Sequence, residues 1–105
     1  MALKIDKQDD NGNWTITVVG EVDLYTSPEL RTVVNKVIPK STAKVGIDLN
    51  EVGYMDSSGV ATLVEGLRTS GQKNLEFVLL RPSQAVMKVL QLSRLDTVFA
   101  IRDAL

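Results

Sequence analysis

Three runs of strand-forming residues alternate with stretches whose apolar residues recur at helical spacing, and no other feature limits the fold as much. The runs are Trp14-Thr15-Ile16-Thr17-Val18-Val19, Lys44-Val45-Gly46-Ile47-Asp48-Leu49 and Leu75-Glu76-Phe77-Val78-Leu79-Leu80. In the first, Trp14, Ile16 and Val18 share one face and Thr15 and Thr17 the other, so one face is buried and one wet. In the second, Val45, Ile47 and Leu49 share a face. The third is almost wholly apolar, which suits an interior strand covered on both faces. Between the first two runs lie Leu30, Val33, Val34, Val37 and Ile38, the stripe of one buried helix face. Val60, Leu63, Val64 and Leu67 repeat the pattern after the second run, and Val86, Met87, Val89 and Leu90 after the third. Such alternation predicts a mixed sheet whose later strands are parallel and joined by right-handed crossovers. A chain of 105 residues fits one compact domain whose core needs neither metal nor disulfide.

Local signals place the ends of these elements. A first strand begins weakly at Lys4 to Lys7, and Asn11-Gly12 suits a tight hairpin turn with positive φ. Gly20 marks a bend, after which Glu21 and Asp23 alternate with Val22 and Leu24 and so face one side; the simplest reading is a short strand with a solvated acidic edge. Thr26-Ser27-Pro28-Glu29 starts a helix, either with Thr26 as N-cap and Glu29 closing a capping box or with Ser27 as cap and Pro28 at the first helical position. Pro39 ends that helix. The next helix is expected from about Ser57 to Thr69, with Gly71 closing it in a left-handed cap. Arg81-Pro82-Ser83 turns the chain, and Leu95, Val98, Phe99 and Ile101 predict a last short strand or docked tail.

Composition removes most chemistries. Net charge is −1, which carries no nucleic-acid footprint and no electrostatic grip on a membrane. Without cysteine there is no disulfide, thiolate metal site or thiol catalysis, and without histidine there is no Ser-His-Asp triad, His-ligated metal or phosphohistidine. The start, Met1 to Asp6, lacks the apolar region of a signal peptide, and no apolar run is long enough to span a bilayer. A cytoplasmic protein without cofactor or metal is the expectation.

One junction carries the remaining interest. Between Asp48 and Val60 the chain turns from strand to helix through Met55-Asp56-Ser57-Ser58-Gly59. In open α/β sheets functional groups collect where strand ends meet helix starts. The first helical turn offers unpaired N–H groups and partial positive charge, which would favour a phosphate bound or attached there. Gly59 would let a backbone or ligand come close. On spacing alone, Asp56 or Ser57 as a plain N-cap is the simpler reading. A catalytic serine lacks a base and the G-x-S-x-G setting, a Walker loop lacks its lysine, and a phosphoaspartate receiver lacks its early acid pair. The surviving chemical option is a serine that is itself a substrate.

The sequence resembles STAS-domain proteins of the anti-sigma-factor antagonist type along nearly its whole length. Val19-Gly20-Glu21-Val22-Asp23 is similar to the family's Gly-Glu-x-Asp segment. Tyr54-Met55-Asp56-Ser57-Ser58-Gly59 is similar to its most specific motif, and Val89 to Leu95 with Val98-Phe99 to its closing helix and tail. The resemblance implies a single STAS-like α/β domain over residues 1–105. It would have a mixed sheet of about four to five strands and about three to four helices mainly on one side. It implies a non-enzymatic switch in which Ser57 is the phosphoacceptor. Glu21, Asp23, Asp56, Ser58 and Gly59 would contact the partner. The unphosphorylated form would bind a serine-kinase anti-sigma factor, or an equivalent kinase regulator, and phosphorylation would release it. A PP2C-type phosphatase would restore it, and the free form would be a monomer. Arg94 stands where the family often has glycine, and Val60-Ala61-Thr62-Leu63 is a less usual continuation of the motif. These departures keep two other branches open: a STAS subunit that binds the ATPase of a lipid-trafficking ABC transporter, and a partner switch whose output is not a sigma factor.

Overall fold

The computed structural model describes residues 3–105. Met1 and Ala2, which open both the segment searched for a signal peptide and the domain taken as 1–105, lie outside the described residues. The elements follow the expected order: β1 (Lys4–Asp10), β2 (Asn13–Val22), α1 (Ser27–Val37), β3 (Lys44–Met55), α2 (Ser57–Gln72), β4 (Glu76–Leu80), α3 (Gln84–Leu92) and β5 (Ala100–Arg102). They form one five-stranded sheet in the order β1-β2-β3-β4-β5. β1 runs antiparallel to β2, and every later pairing is parallel. Asn11 and Gly12, at φ 55° and 88°, make the tight turn that sets the β1–β2 register, pairing Asp10 with Asn13.

The parallel strands are laid down in one direction across the sheet, so right-handed crossovers put all three helices on the same face. Their inward residues, Leu30 and Val34 of α1, Leu63 of α2, and Val86 and Leu90 of α3, share one core with Ile16, Val18, Val45, Ile47, Leu49, Phe77 and Leu79. Val78 and Leu80 point the other way and are also buried. There Gly46 leaves room for the side chains of Leu80 and Leu105, and a Cβ on Gly46 would stand 2.8 and 3.0 Å from them. The third apolar run is thus covered on both faces, as its composition requires.

β3 runs six residues further than its alternating pattern predicts, from the expected end at Leu49 to Met55. Two irregularities explain the difference. Thr17 pairs with Asp48 but Val19 with Glu51, and Gly20 pairs with Val52 but Glu21 with Tyr54, so β3 carries an extra residue twice. Its buried residues therefore step by two at first (Val45, Ile47, Leu49) and then by three (Val52, Met55). β4 ends opposite Asp48, and the turn into α3 takes over its role along β3. Ser83 donates its N–H to Leu49 O at 3.2 Å and its hydroxyl to Val52 O at 2.6 Å.

Two local expectations are corrected, at the start of α1 and at the end of α2. Thr26 precedes α1 but makes no side-chain cap, and no capping box forms; its hydroxyl instead donates to Glu21 O at 2.8 Å. As expected, the α-helix stops before Pro39: it ends at Val37, and Pro39 sits within a 3₁₀ turn, Ile38–Lys40. Gly71 lies inside α2, and the left-handed residue is Asn74 at φ 58°. Leu75 N–H reaches back to Ser70 O (2.9 Å) and Asn74 N–H to Gly71 O (3.1 Å), a complete Schellman motif three residues later than expected.

Candidate functional site

β2 and the extended β3 end side by side, pairing Val22 with Met55, and this common end is the platform for α2. Asp56 is fixed there by its N–H, which donates to Val22 O at 3.1 Å. Its backbone is extended, so the chain can enter α2 at Ser57. Asp56 Oδ1 accepts the N–H of Ser58 at 2.9 Å, the N–H of Gly59 at 3.4 Å and the Ser58 hydroxyl at 2.5 Å. Asp56 is the N-cap, and Ser58 is its partner. The Ser58 hydroxyl, assisted by the N–H groups of Ser58, Gly59 and Leu24, holds the Asp56 carboxyl below the usual carboxylate range; partial desolvation opposes this.

Ser57 is left out of this arrangement. It is exposed, occupies the first helical position, and its hydroxyl bonds no described residue. The two serines are thereby distinguished: Ser58 is tied into the cap, and Ser57 presents an unengaged nucleophile to solvent. Residues 19–30 and 49–67, which carry the ends of β2 and β3 and the starts of α1 and α2, contain no lysine or arginine; the cation at this end of the sheet is Lys4 of β1, which pairs with Val19. A phosphate on Ser57 would feel the helix dipole. However, Asp56 already occupies two of the first-turn N–H groups, and neither segment supplies a cation.

The two early acids part company. Glu21 lies in β2, half-buried and opposite Tyr54 of β3. Asp23 is beyond the strand, and its carboxylate turns back to accept the N–H groups of Tyr25 (2.9 Å) and Thr26 (3.0 Å). The acidic strand edge expected for both is therefore a strand residue followed by a side-chain-braced turn. That brace has a consequence the alternating pattern hid. Leu24 and Tyr25 stand outward, 69% and 87% exposed, and Tyr54, which pairs with Glu21, is 49% exposed. A signal was present, since two apolar residues sit between an Asx-type turn former and a helix start.

Gly59 is brought to the site in sequence but not in orientation. It is buried, and a Cβ there would come within 2.7 Å of Met55 Cγ and 2.8 Å of Val22 Cγ1. The glycine lets the first turn of α2 rest on the strand ends. The side left open by the missing Cβ faces the core, so the close approach that the glycine allows is that of α2 to the strand ends, not that of a ligand. Val64, expected in the buried stripe, is 40% exposed.

A twisted sheet of one antiparallel and three parallel pairings, with a capped Asp-Ser-Ser-Gly helix start at the strand ends, defines a class. The chain belongs to the STAS domain family, whose profile matches residues 4–105. Within that class it is similar to the anti-sigma-B factor antagonist of Listeria monocytogenes, 30% identical over 97 residues, covering 92% of this chain and 85% of the relative. It is also similar to the crystal structure of an anti-sigma factor antagonist from Mycobacterium paratuberculosis, with a TM-score of 0.87 at 25% identity, over 98% of this chain and 87% of that one. The fold is shared with the Bacillus cell fate determinant SpoIIAA in its phosphorylated form, with a TM-score of 0.73 at 22% identity, over 93% and 90% of the two chains.

Proposed function

We propose that this chain is an anti-sigma factor antagonist working by partner switching, with Ser57 as the residue that is phosphorylated. The observation that carries the assignment is the division of labour between the two serines: Ser58 is held by Asp56, while Ser57 is exposed and unbonded at the first position of α2. In its unphosphorylated form the chain binds a serine-kinase anti-sigma factor, or an equivalent kinase regulator. Phosphorylation releases it, and a PP2C-type phosphatase returns it to the binding form. The chain acts as a substrate and a ligand, not as an enzyme, and works in the cytoplasm. The relatives carry the antagonist's name, which favours this reading over the transporter subunit. SpoIIAA, with the same fold, has been described in a phosphorylated form.

The physical basis is local. A phosphate adds roughly −1.5 to −2 charges at neutral pH. Around Ser57 stand Glu21, Asp23 and Asp56, with no basic residue on the segments that carry them. A phosphate at Ser57 would crowd these acids with further negative charge and would have to be stripped of water to stay in the interface, and both costs disfavour the complex. The exposed Leu24, Tyr25 and Tyr54 supply the apolar part of the contact, where aromatic anchors dominate binding. Incubation with the cognate serine kinase and ATP is expected to add one phosphate, absent in Ser57→Ala and retained in Ser58→Ala, as read by intact mass and peptide mapping. A phosphate that maps to Ser58 refutes the assignment.

A further inference from the structure

Val64 is out of place for a core residue, and its surroundings give it a use. It lies on α2 with Ala61, Glu65 and Arg68, and with Arg31 of α1 it lines a shallow hollow of about 270 Å³ between the two helices. Arg31 and Glu65 pair across the hollow at 3.3 Å, and Arg68 joins no ion pair among the described residues. Ser57, Ala61, Val64 and Arg68 fall at i, i+4, i+7 and i+11, which is one stripe along α2. The hollow is therefore continuous with the phosphorylation site. At ~1.5 Å per helical residue it begins about 6 Å from Ser57 and ends about 16 Å away. A standard interface buries roughly 800 Å² on each partner, a disc about 16 Å in radius, so a kinase seated over Ser57 reaches the whole hollow.

The geometry points to this hollow as a second docking element for the same kinase regulator, and the inference rests on the partner-switching reading above. The occupant is a kinase segment that places an aliphatic side chain against Ala61 and Val64 and a carboxylate against Arg68. The charges make the footprint dipolar: Glu21, Asp23 and Asp56 at one end, the unpaired Arg68 at the other. Only one orientation of a partner matches both ends, so the stripe sets the register in which Ser57 is presented. Because Arg68 lies three turns from the hydroxyl, it acts on affinity and not on phosphoryl transfer.

The test uses the purified cognate serine kinase with the full chain. Arg68→Glu and Val64→Asp are each expected to raise the Kd for the kinase by roughly fivefold or more. The same variants are expected to raise KM for Ser57 phosphorylation while leaving kcat within about twofold. Arg68→Lys should retain most of the binding, and circular dichroism should show all variants folded, since the altered side chains are exposed. Unchanged Kd in Arg68→Glu and Val64→Asp, with Ser57→Asp still weakening the complex, overturns the second element and leaves the partner-switching reading intact. If wild type and all variants fail to bind or be phosphorylated, that reading falls and takes this inference with it.

Discussion

Alanine at two glycines of α2 is predicted to change stability in opposite directions. Both replacements remove backbone freedom and improve helix propensity, which is worth about 0.4–1 kcal/mol where the conformation suits alanine. Gly71 meets that condition: φ is not positive, and nothing lies within 4 Å of a Cβ placed there. Gly71→Ala should therefore stabilise the domain by up to about 1 kcal/mol. At Gly59 the same methyl would stand 2.7 Å from Met55 Cγ and 2.8 Å from Val22 Cγ1. Ordinary carbon contacts are about 3.5–4.0 Å, so both neighbours must retreat by about 0.7 Å or more. Val22 is β-branched, sits on a strand and is fully buried, so it has little freedom to move. Overpacking of this kind costs about 1–3 kcal/mol, which exceeds the propensity gain and leaves a net loss of about 1 kcal/mol. In a domain of this size that is a Tm about 4–8 °C lower, with Gly71→Ala at or above wild type. Thermal unfolding followed by circular dichroism, with urea titration at 25 °C, measures both. A Gly59→Ala protein as stable as wild type would refute the claim that α2 rests on the strand ends through this glycine.

Other expectations follow from particular contacts. Arg94 sits at φ 59° as the left-handed residue closing α3, with Leu95 N–H on Leu90 O and its own N–H on Gln91 O. Arg94→Gly removes a penalty of about 1–2 kcal/mol at some cost in backbone entropy, so urea titration should show a gain of roughly 0.5–1 kcal/mol. Asp56→Ala should cost about 1–2 kcal/mol at neutral pH, by the same titration, whereas Asp56→Asn, itself a good N-cap, should cost little. The Asp56 carboxyl is held below its unfolded value, so its contribution is full above about pH 4 and is lost as the pH falls towards the lower folded value. A stability profile from pH 6 to 2 should accordingly fall more steeply for wild type than for Asp56→Asn. Ser57→Asp should leave Tm within a few degrees of wild type yet weaken kinase binding in calorimetry, because the side chain is exposed and engaged with nothing. Tyr25→Ala should weaken the same complex by about 1–2 kcal/mol without affecting the fold, since Tyr25 is 87% exposed.

The sequence by itself determined the order of elements, the two-residue hairpin at Asn11-Gly12, the inward stripes of α1 and α3, and a helix start at about Ser57, with the cap left open between Asp56 and Ser57. Each of these is written in residues a few positions apart: a period of 2 or 3.6, a cap, or a turn that needs positive φ. The tertiary structure decided what depends on residues far along the chain. The two extra residues in β3 are visible only against β2, some thirty positions earlier, and they carry the strand to Met55. The outward turn of Leu24 and Tyr25 follows from the Asp23 brace, which replaces the strand that alternation suggested. Gly59 looked like an opening for a ligand, and the packing of Met55 and Val22 shows that its open side is filled by the core. Val64 repeats at the spacing of buried residues, yet it lies at the margin between α1 and α2, where only the placement of α1 determines what is covered. The family motif singles out Ser57 as the proposed phosphoacceptor. The three hydrogen bonds that Asp56 receives from Ser58 and Gly59 separate the two adjacent serines, because a capping carboxylate engages one hydroxyl and leaves the other free.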